Sequence, residues 1–234
     1  MKKEKIQINH IPAIIWGEKS EKVFIAIHGN MSHKEDKVIQ ILASHVIKKK
    51  YQVISFDLPE HGDRKGDKDI LCKVQNCVEE LKQVLEYVKK QYDEISLFAC
   101  SMSAYFSLLA YQHEAIQKSL FLSPVINMKM IIDNMMNWAQ VSENELKEKQ
   151  EIETDFGQTL YYDYYMYVKN HPIIYWNTET YILYGSHDDM QKQEIIEEFT
   201  KKFHVLLTIL RNGEHYFHTE KQLEYYKNWL ENII

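Results

Sequence analysis

The sequence predicts an α/β architecture: a mainly parallel sheet with helices on both faces, forming one domain over residues 1–234. Three observations predict it. Short, continuous apolar runs such as Val23-Phe24-Ile25-Ala26-Ile27 have the composition of strands buried on both sides. Stretches with helical apolar spacing separate them, as crossovers between parallel strands require. The chemically suggestive groups His28, Asp57, Ser101, Asp188 and His215 each follow a predicted strand. Sheets of this kind collect their ligands at the carboxyl ends of the strands.

The elements run as follows. Residues 6–9 and 13–16 read as an opening hairpin, and 23–27 as the first buried strand, ending at His28-Gly29. Residues 37–49 have helical spacing (Val38, Ile41, Leu42, His45, Val46), and 52–56 form the next strand, stopped by Asp57-Leu58-Pro59. Residues 76–92 are a strongly amphipathic helix with Val78, Leu81, Val84, Leu85 and Val88 on one stripe. The run Ile95-Ser96-Leu97-Phe98-Ala99-Cys100 is a strand that breaks at Ser101-Met102-Ser103 and passes at once into a helix. Residues 119–122 are the sixth strand, stopped by Pro124.

Alternation then lapses. Residues 125–177 carry no strand signal and read as a short helical lid inserted after the sixth strand. Ser142 with Glu145 forms a capping-box pattern that starts one helix there, and the aromatic run 161–168 is a second helix. Alternation resumes with a strand over 180–184, a helix over 192–202, a strand over 205–210 and a final helix over 219–232.

Composition narrows the function classes. Apolar residues make up 45% of the 234 and charged residues 26%, an ordinary balance for a chain that needs no covalent staple. The formal charge of −6, with a pI near 6.0, lacks the basic footprint of a nucleic-acid binder and gives no steering toward anionic membranes. Cys72, Cys77 and Cys100 fit no zinc spacing and read as free thiols of a reducing compartment. The N-terminus has no apolar signal core, and no run reaches the ~18 apolar residues of a membrane span. A cytoplasmic protein is the expectation.

The strand–turn–helix at Ser101 is the layout that lifts a serine hydroxyl out of the backbone as a nucleophile. The pattern asks for Gly-x-Ser-x-Gly and the chain has Ala99-Cys100-Ser101-Met102-Ser103, with small residues at both glycine positions. A serine needs a base to take its proton and a third group to orient that base. His215, in Gly213-Glu214-His215, follows the last strand, and Asp188, in Tyr184-Gly185-Ser186-His187-Asp188, follows the strand before it.

With these pieces, the chain resembles compact α/β-hydrolases of the carboxylesterase and lysophospholipase type, from about Val23 to the C-terminus. The resemblance rests on His28-Gly29, Asp57-Leu58-Pro59-Glu60-His61-Gly62, the serine turn, Leu183-Tyr184-Gly185-Ser186-His187-Asp188 and Gly213-Glu214-His215. It implies a triad in the order Ser101, Asp188, His215, with the acid three residues after the Tyr-Gly glycine. It also implies an oxyanion hole from the backbone N–H groups of Met102 and Asn30, with Met31 as the alternative to Asn30. His28 then packs the loop that carries the donor.

Each position has a rival. Ser103 could replace Ser101, and Asp189 could replace Asp188 by a one-residue shift, though it suits a solvated helix N-terminus. His218 fits the start of the last helix, His187 a loop, and Cys100 a packed thiol. The charge-rich stretch 57–69 matches no calcium loop and reads as a structural turn, so no metal and no cofactor are expected. In the lid, methionines and aromatics either pack on the sheet or line an apolar acyl pocket. Met31, Met135, Trp138, Tyr162 and Tyr165 are the candidates to touch substrate.

The expected function is hydrolysis of a small carboxylic ester with an apolar acyl part. A thioesterase, a peptidase or a carbon–carbon bond hydrolase would use the same groups. A non-catalytic ligand-binding protein is the alternative of another class, and it would need none of the three side chains. Nothing in the sequence sets an oligomeric state.

Overall fold

A computed structural model describes all residues, Met1–Ile234. Ten strands and eight helices follow one another as β1 (Lys3–Ile8), β2 (Ile11–Trp16), β3 (Lys22–Ile27), α1 (Lys37–Val46), β4 (Tyr51–Phe56), α2 (Val74–Lys89), β5 (Glu94–Cys100), α3 (Met102–Ala110) and β6 (Ser119–Leu122). Then come α4 (Met128–Trp138), α5 (Glu143–Lys149), β7 (Glu151–Glu153), β8 (Thr159–Tyr161), α6 (Tyr162–Asn170), β9 (Thr180–His187), α7 (Gln193–Phe203), β10 (Leu206–Glu214) and α8 (Glu220–Ile233). Eight strands form one sheet in the order β1-β2-β4-β3-β5-β6-β9-β10. The β1/β2 and β2/β4 pairs are antiparallel and all the others parallel.

The buried runs work as two-faced strands. In β3, Val23, Ile25 and Ile27 enter one core while Phe24 and Ala26 enter the other. In β5 the same alternation sends Leu97 and Ala99 to the first core and Phe98 to the second. The larger core lies under α2, α3, α7 and the insert, and the smaller under α1 and α8. A run with no polar alternation is therefore what a strand covered on both faces requires.

The insert departs from the expectation of a purely helical segment. Glu151–Glu153 and Thr159–Tyr161 pair as an antiparallel hairpin, so Tyr161 is the last strand residue and not the first of a helix. Three-residue strands of mixed polarity leave too short a period to read from sequence. At α5, Ser142 accepts the Glu145 N–H at 3.1 Å, but the Glu145 carboxylate reaches Lys149 instead of returning to the cap.

β9 and β10 extend beyond their apolar runs, through Gly185-Ser186-His187 and Arg211-Asn212-Gly213-Glu214. Polar and glycine residues hide these ends in the sequence. Gly185 is required there, because a Cβ would overlap the Gly213 backbone. The pairing skips between Leu210 and Glu214, with Asn212 at φ 59° and its N–H donated to Ser186 Oγ at 2.8 Å.

Three of the carboxylates in the 57–69 stretch, Asp57, Asp63 and Asp67, are met by Lys34 or Arg64. The fully buried Asp57 carboxylate accepts the Lys34 backbone N–H at 2.8 Å and the Asp63 N–H at 2.9 Å, and pairs with the buried Lys34 ammonium. Arg64 donates two bonds to Glu80, at 2.6 and 2.9 Å, with both side chains under 5% exposed. Removing one partner of such a pair leaves a buried charge alone. Glu80→Ala is expected to cost about 3–5 kcal/mol in urea unfolding. Asp67, 3.8 Å from Arg64 Nε, sets the lower end of that range. A loss below about 1 kcal/mol would mean the pair is not buried in solution.

Candidate active site

The parallel strands end nearly level, with Ile27 opposite both Phe56 and Ala99, and Cys100 opposite Leu122. The loops after β3, β5, β9 and β10 therefore meet at one edge. Ser101 sits between β5 and α3 at φ 56° and ψ −124°, a region costly for a residue with a Cβ, by about 1–3 kcal/mol. Backbone bonds hold it there. Its N–H donates to Leu122 O at 3.1 Å, and its carbonyl accepts from Ala104 N–H at 3.1 Å and Val125 N–H at 3.0 Å.

Three side chains form a line. Ser101 Oγ lies 2.8 Å from His215 Nε2, and His215 Nδ1 lies 2.7 Å from Asp188 Oδ2. The other Asp188 oxygen accepts the N–H groups of Met190 at 2.9 Å and Gln191 at 3.1 Å. The Asp188 carboxylate is shielded from solvent, and the His215 ring is 17% exposed. An ionised, buried acid beside Nδ1 keeps the proton on that nitrogen and leaves Nε2 free to accept one from the serine.

The rivals are placed elsewhere. Asp189 is exposed, as is His187. His218 stacks on Tyr216 and lies 3.7 Å from Glu214. Cys100 is a half-buried thiol that desolvation pushes up to about 12. The Ser103 hydroxyl is fully buried and occupied: it accepts the Cys100 N–H at 2.9 Å and faces the carbonyls of Cys100 at 2.8 Å and Ile27 at 3.1 Å. Its side chain thus stitches the start of α3 to β5 and β3 where the pattern has glycine. No single-residue signal in the sequence carries that role.

The loop after β3 lies directly on the serine. A Cβ at Gly29 would come within 3.2 Å of Ser101 Cβ, so only glycine seats without displacement. Asn30 follows it, exposed, and its backbone N–H and that of Met102 make no hydrogen bond within the protein. Met102 is the first residue of α3, where N–H groups have no helical partner. His28 anchors this loop: its Nδ1–H donates to Gly29 O at 2.7 Å and its Nε2 accepts the Leu58 N–H at 3.1 Å.

Burial holds His28 neutral, with its pKa lowered to about 4 against an ordinary 6.5. Between those values the unfolded chain binds a proton that the folded one refuses. The stabilisation is complete above about pH 6.5 and is lost as pH falls toward 4. Acidification from about pH 7 to 5 is expected to remove about 2 kcal/mol through this residue. Urea midpoints would check it: His28→Asn should lose that much less than wild type over the same interval, and equal losses would refute the assignment.

Gln191 joins the acid loop to the root of the insert. Its buried side-chain oxygen accepts the N–H groups of Ile126 at 2.9 Å and Asn127 at 2.7 Å. Periodicity gave no hint of this residue. Within the insert, Tyr165 is buried with its hydroxyl 3.2 Å from Glu143, and Trp138 is 71% exposed, edge-on to Phe156. Met135 and Tyr162 are half-buried against the larger core, and Met31 is 86% exposed at φ 57°. No cluster of three ligating side chains is placed to hold a metal ion, and no helix is long and apolar enough to cross a membrane.

A parallel sheet in this order, with a serine on a strained turn after β5 and an acid and a histidine after β9 and β10, is the α/β-hydrolase fold. Solved structures agree across the whole chain. Est1E from Butyrivibrio proteoclasticus, solved with ferulic acid bound, superposes with a TM-score of 0.76 at 18% identity, over 98% of each chain. A putative hydrolase from Agrobacterium vitis S4 gives 0.78 at 15%, over 100% of this chain and 98% of its own. Mouse alpha/beta hydrolase domain-containing protein 10 gives 0.77 at 11%, with the same coverage. No family model matches the sequence, and no curated protein matches it.

Proposed function

We propose that the chain is a serine hydrolase that cleaves a small carboxylic ester through an acyl-enzyme on Ser101. The observation that carries this reading is the hydrogen-bonded line from Ser101 through His215 to the buried Asp188, at 2.8 and 2.7 Å. His215 Nε2 takes the Ser101 proton as the hydroxyl oxygen attacks the ester carbonyl. Asp188 stabilises the imidazolium that forms. The Asn30 and Met102 N–H groups receive the tetrahedral oxyanion. The imidazolium then protonates the leaving alcohol, and water activated by His215 releases the acid and restores Ser101.

Residues 125–177 act as the lid. Three bonds at its root support this: the Val125 N–H to the Ser101 carbonyl, and the Ile126 and Asn127 N–H groups to the Gln191 side-chain oxygen. The apolar part of the substrate meets exposed apolar groups on the loops that carry the chemistry. Met31 follows Asn30, Met190 follows the acid by two positions, and Tyr216 follows the base, at 86%, 42% and 64% exposure. Met135 and Tyr162 add half-buried surface from the lid.

The test is turnover of activated p-nitrophenyl esters from acetyl to lauroyl, with a pre-steady-state burst. Hydrolysis with a burst and an optimum in acyl length is expected. No turnover of any ester would overturn the reading, and a flat response would remove the acyl pocket from it.

A further inference from the structure

Cys72 and Cys77 take no part in the proposed catalysis, yet their sulfurs lie 3.7 Å apart. Both are free thiols. Cys72 is half-buried in the loop entering α2, and Cys77 is buried one turn into the helix.

Their surroundings divide the labour between them. The Cys77 thiol is hydrogen-bonded to the Cys72 sulfur, and the His61 ring lies beside that sulfur. Both His61 nitrogens face oxygen acceptors, Nδ1 toward Pro59 O at 2.7 Å and Nε2 toward Asn30 Oδ1 at 3.1 Å. Against the opposing effect of burial, Cys72, the Pro59 carbonyl and Glu60 raise the proton affinity of the His61 ring. Cys72 also stands just ahead of the N-terminus of α2, whose first N–H groups favour an anion. Cys77 and His61 draw Cys72 below the ordinary thiol range against burial and the Glu60 carboxylate, which accepts the Cys72 N–H at 2.6 Å, while burial pushes Cys77 above it. Closing the gap to the ~2.05 Å of an S–S bond asks for less than ~2 Å of movement in a loop residue.

We propose that Cys72 and Cys77 form a peroxide-reactive dithiol site, with Cys72 as the attacking thiolate and Cys77 as the resolving thiol. The Cys72 sulfur attacks one peroxide oxygen, the O–O bond breaks, and the departing hydroxide takes a proton and leaves as water. Cys77 then attacks the Cys72 sulfenic acid, its thiol proton leaving with the hydroxyl as a second water. The two thiols lose two electrons and one peroxide is reduced to two waters. His61 joins the site to Asn30 at 3.1 Å, and the Cys72 N–H ties it to the Glu60 carboxylate at 2.6 Å.

The experiment is mass spectrometry after equimolar hydrogen peroxide, a readout that does not depend on the hydrolase reading. Wild-type protein should lose two hydrogens. Trypsin cuts after Lys73, so the peptides carrying Cys72 and Cys77 should stay joined until reduced. Cys77→Ser should accumulate a sulfenic acid at Cys72 that dimedone traps, and Cys72→Ser should leave Cys77 unmodified. Two alkylatable thiols at 72 and 77 after peroxide treatment of the wild type would overturn the proposal, as would Cys72→Ser reacting as fast as wild type.

Discussion

Ser101→Ala is expected to lower ester turnover by about 10⁴–10⁶-fold while leaving the unfolding midpoint within about 1 kcal/mol of wild type. The activity loss follows from removing the only atom that bonds His215 Nε2 at that edge of the sheet. Under the proposed mechanism, residual turnover would come from the Asn30 and Met102 N–H groups and substrate binding, which the variant retains. The small stability effect follows from how the turn is held. The φ of 56° and the three backbone bonds at residue 101 belong to the main chain and survive loss of the hydroxyl. A fluorophosphonate probe gives the complementary measurement: wild type labels at Ser101 and the variant does not. Equal labelling of the two would sink the nucleophile assignment and return Ser103 to consideration, although its hydroxyl already faces three backbone groups.

Asp188→Asn is expected to reduce kcat by about 10⁴-fold with little change in KM. The amide keeps the shape of the carboxylate but supplies an N–H where an acceptor is needed, so the ring either loses its orienting bond or turns its proton toward Ser101. The same substitution at the exposed neighbour, Asp189→Asn, should leave kcat within about twofold, since surface changes away from the chemistry are close to neutral. The pair of variants separates the two acids that the sequence leaves adjacent. A larger effect at Asp189 than at Asp188 would reverse the assignment.

The order of the main strands and helices was readable because the central strands are short apolar runs and the main helices carry an apolar stripe, both local signals. The buried β3 and β5, the stripe of α2 and the break at Ser101 all follow from residues within one window. The candidate serine, acid and histidine were legible for the same reason: each follows a strand, and a parallel sheet gathers such positions at one edge. The β7–β8 hairpin escaped because three-residue strands have no period to detect. The ends of β9 and β10 escaped because glycine and polar residues occupy them.

What the sequence determined by itself is therefore the α/β alternation and the set of side chains capable of the chemistry. The tertiary structure alone decided their geometry, since residues 101, 188 and 215 are brought within hydrogen-bond reach only by the strand order β5-β6-β9-β10 and the skipped register before Glu214. It also decided what fills the position where the serine pattern has glycine: the Ser103 hydroxyl bonds to β3 and β5, elements far apart in the chain and adjacent in the sheet. Backbone propensity acts over a few residues, whereas hydrogen-bond reach and burial depend on which distant strands pair and in what register.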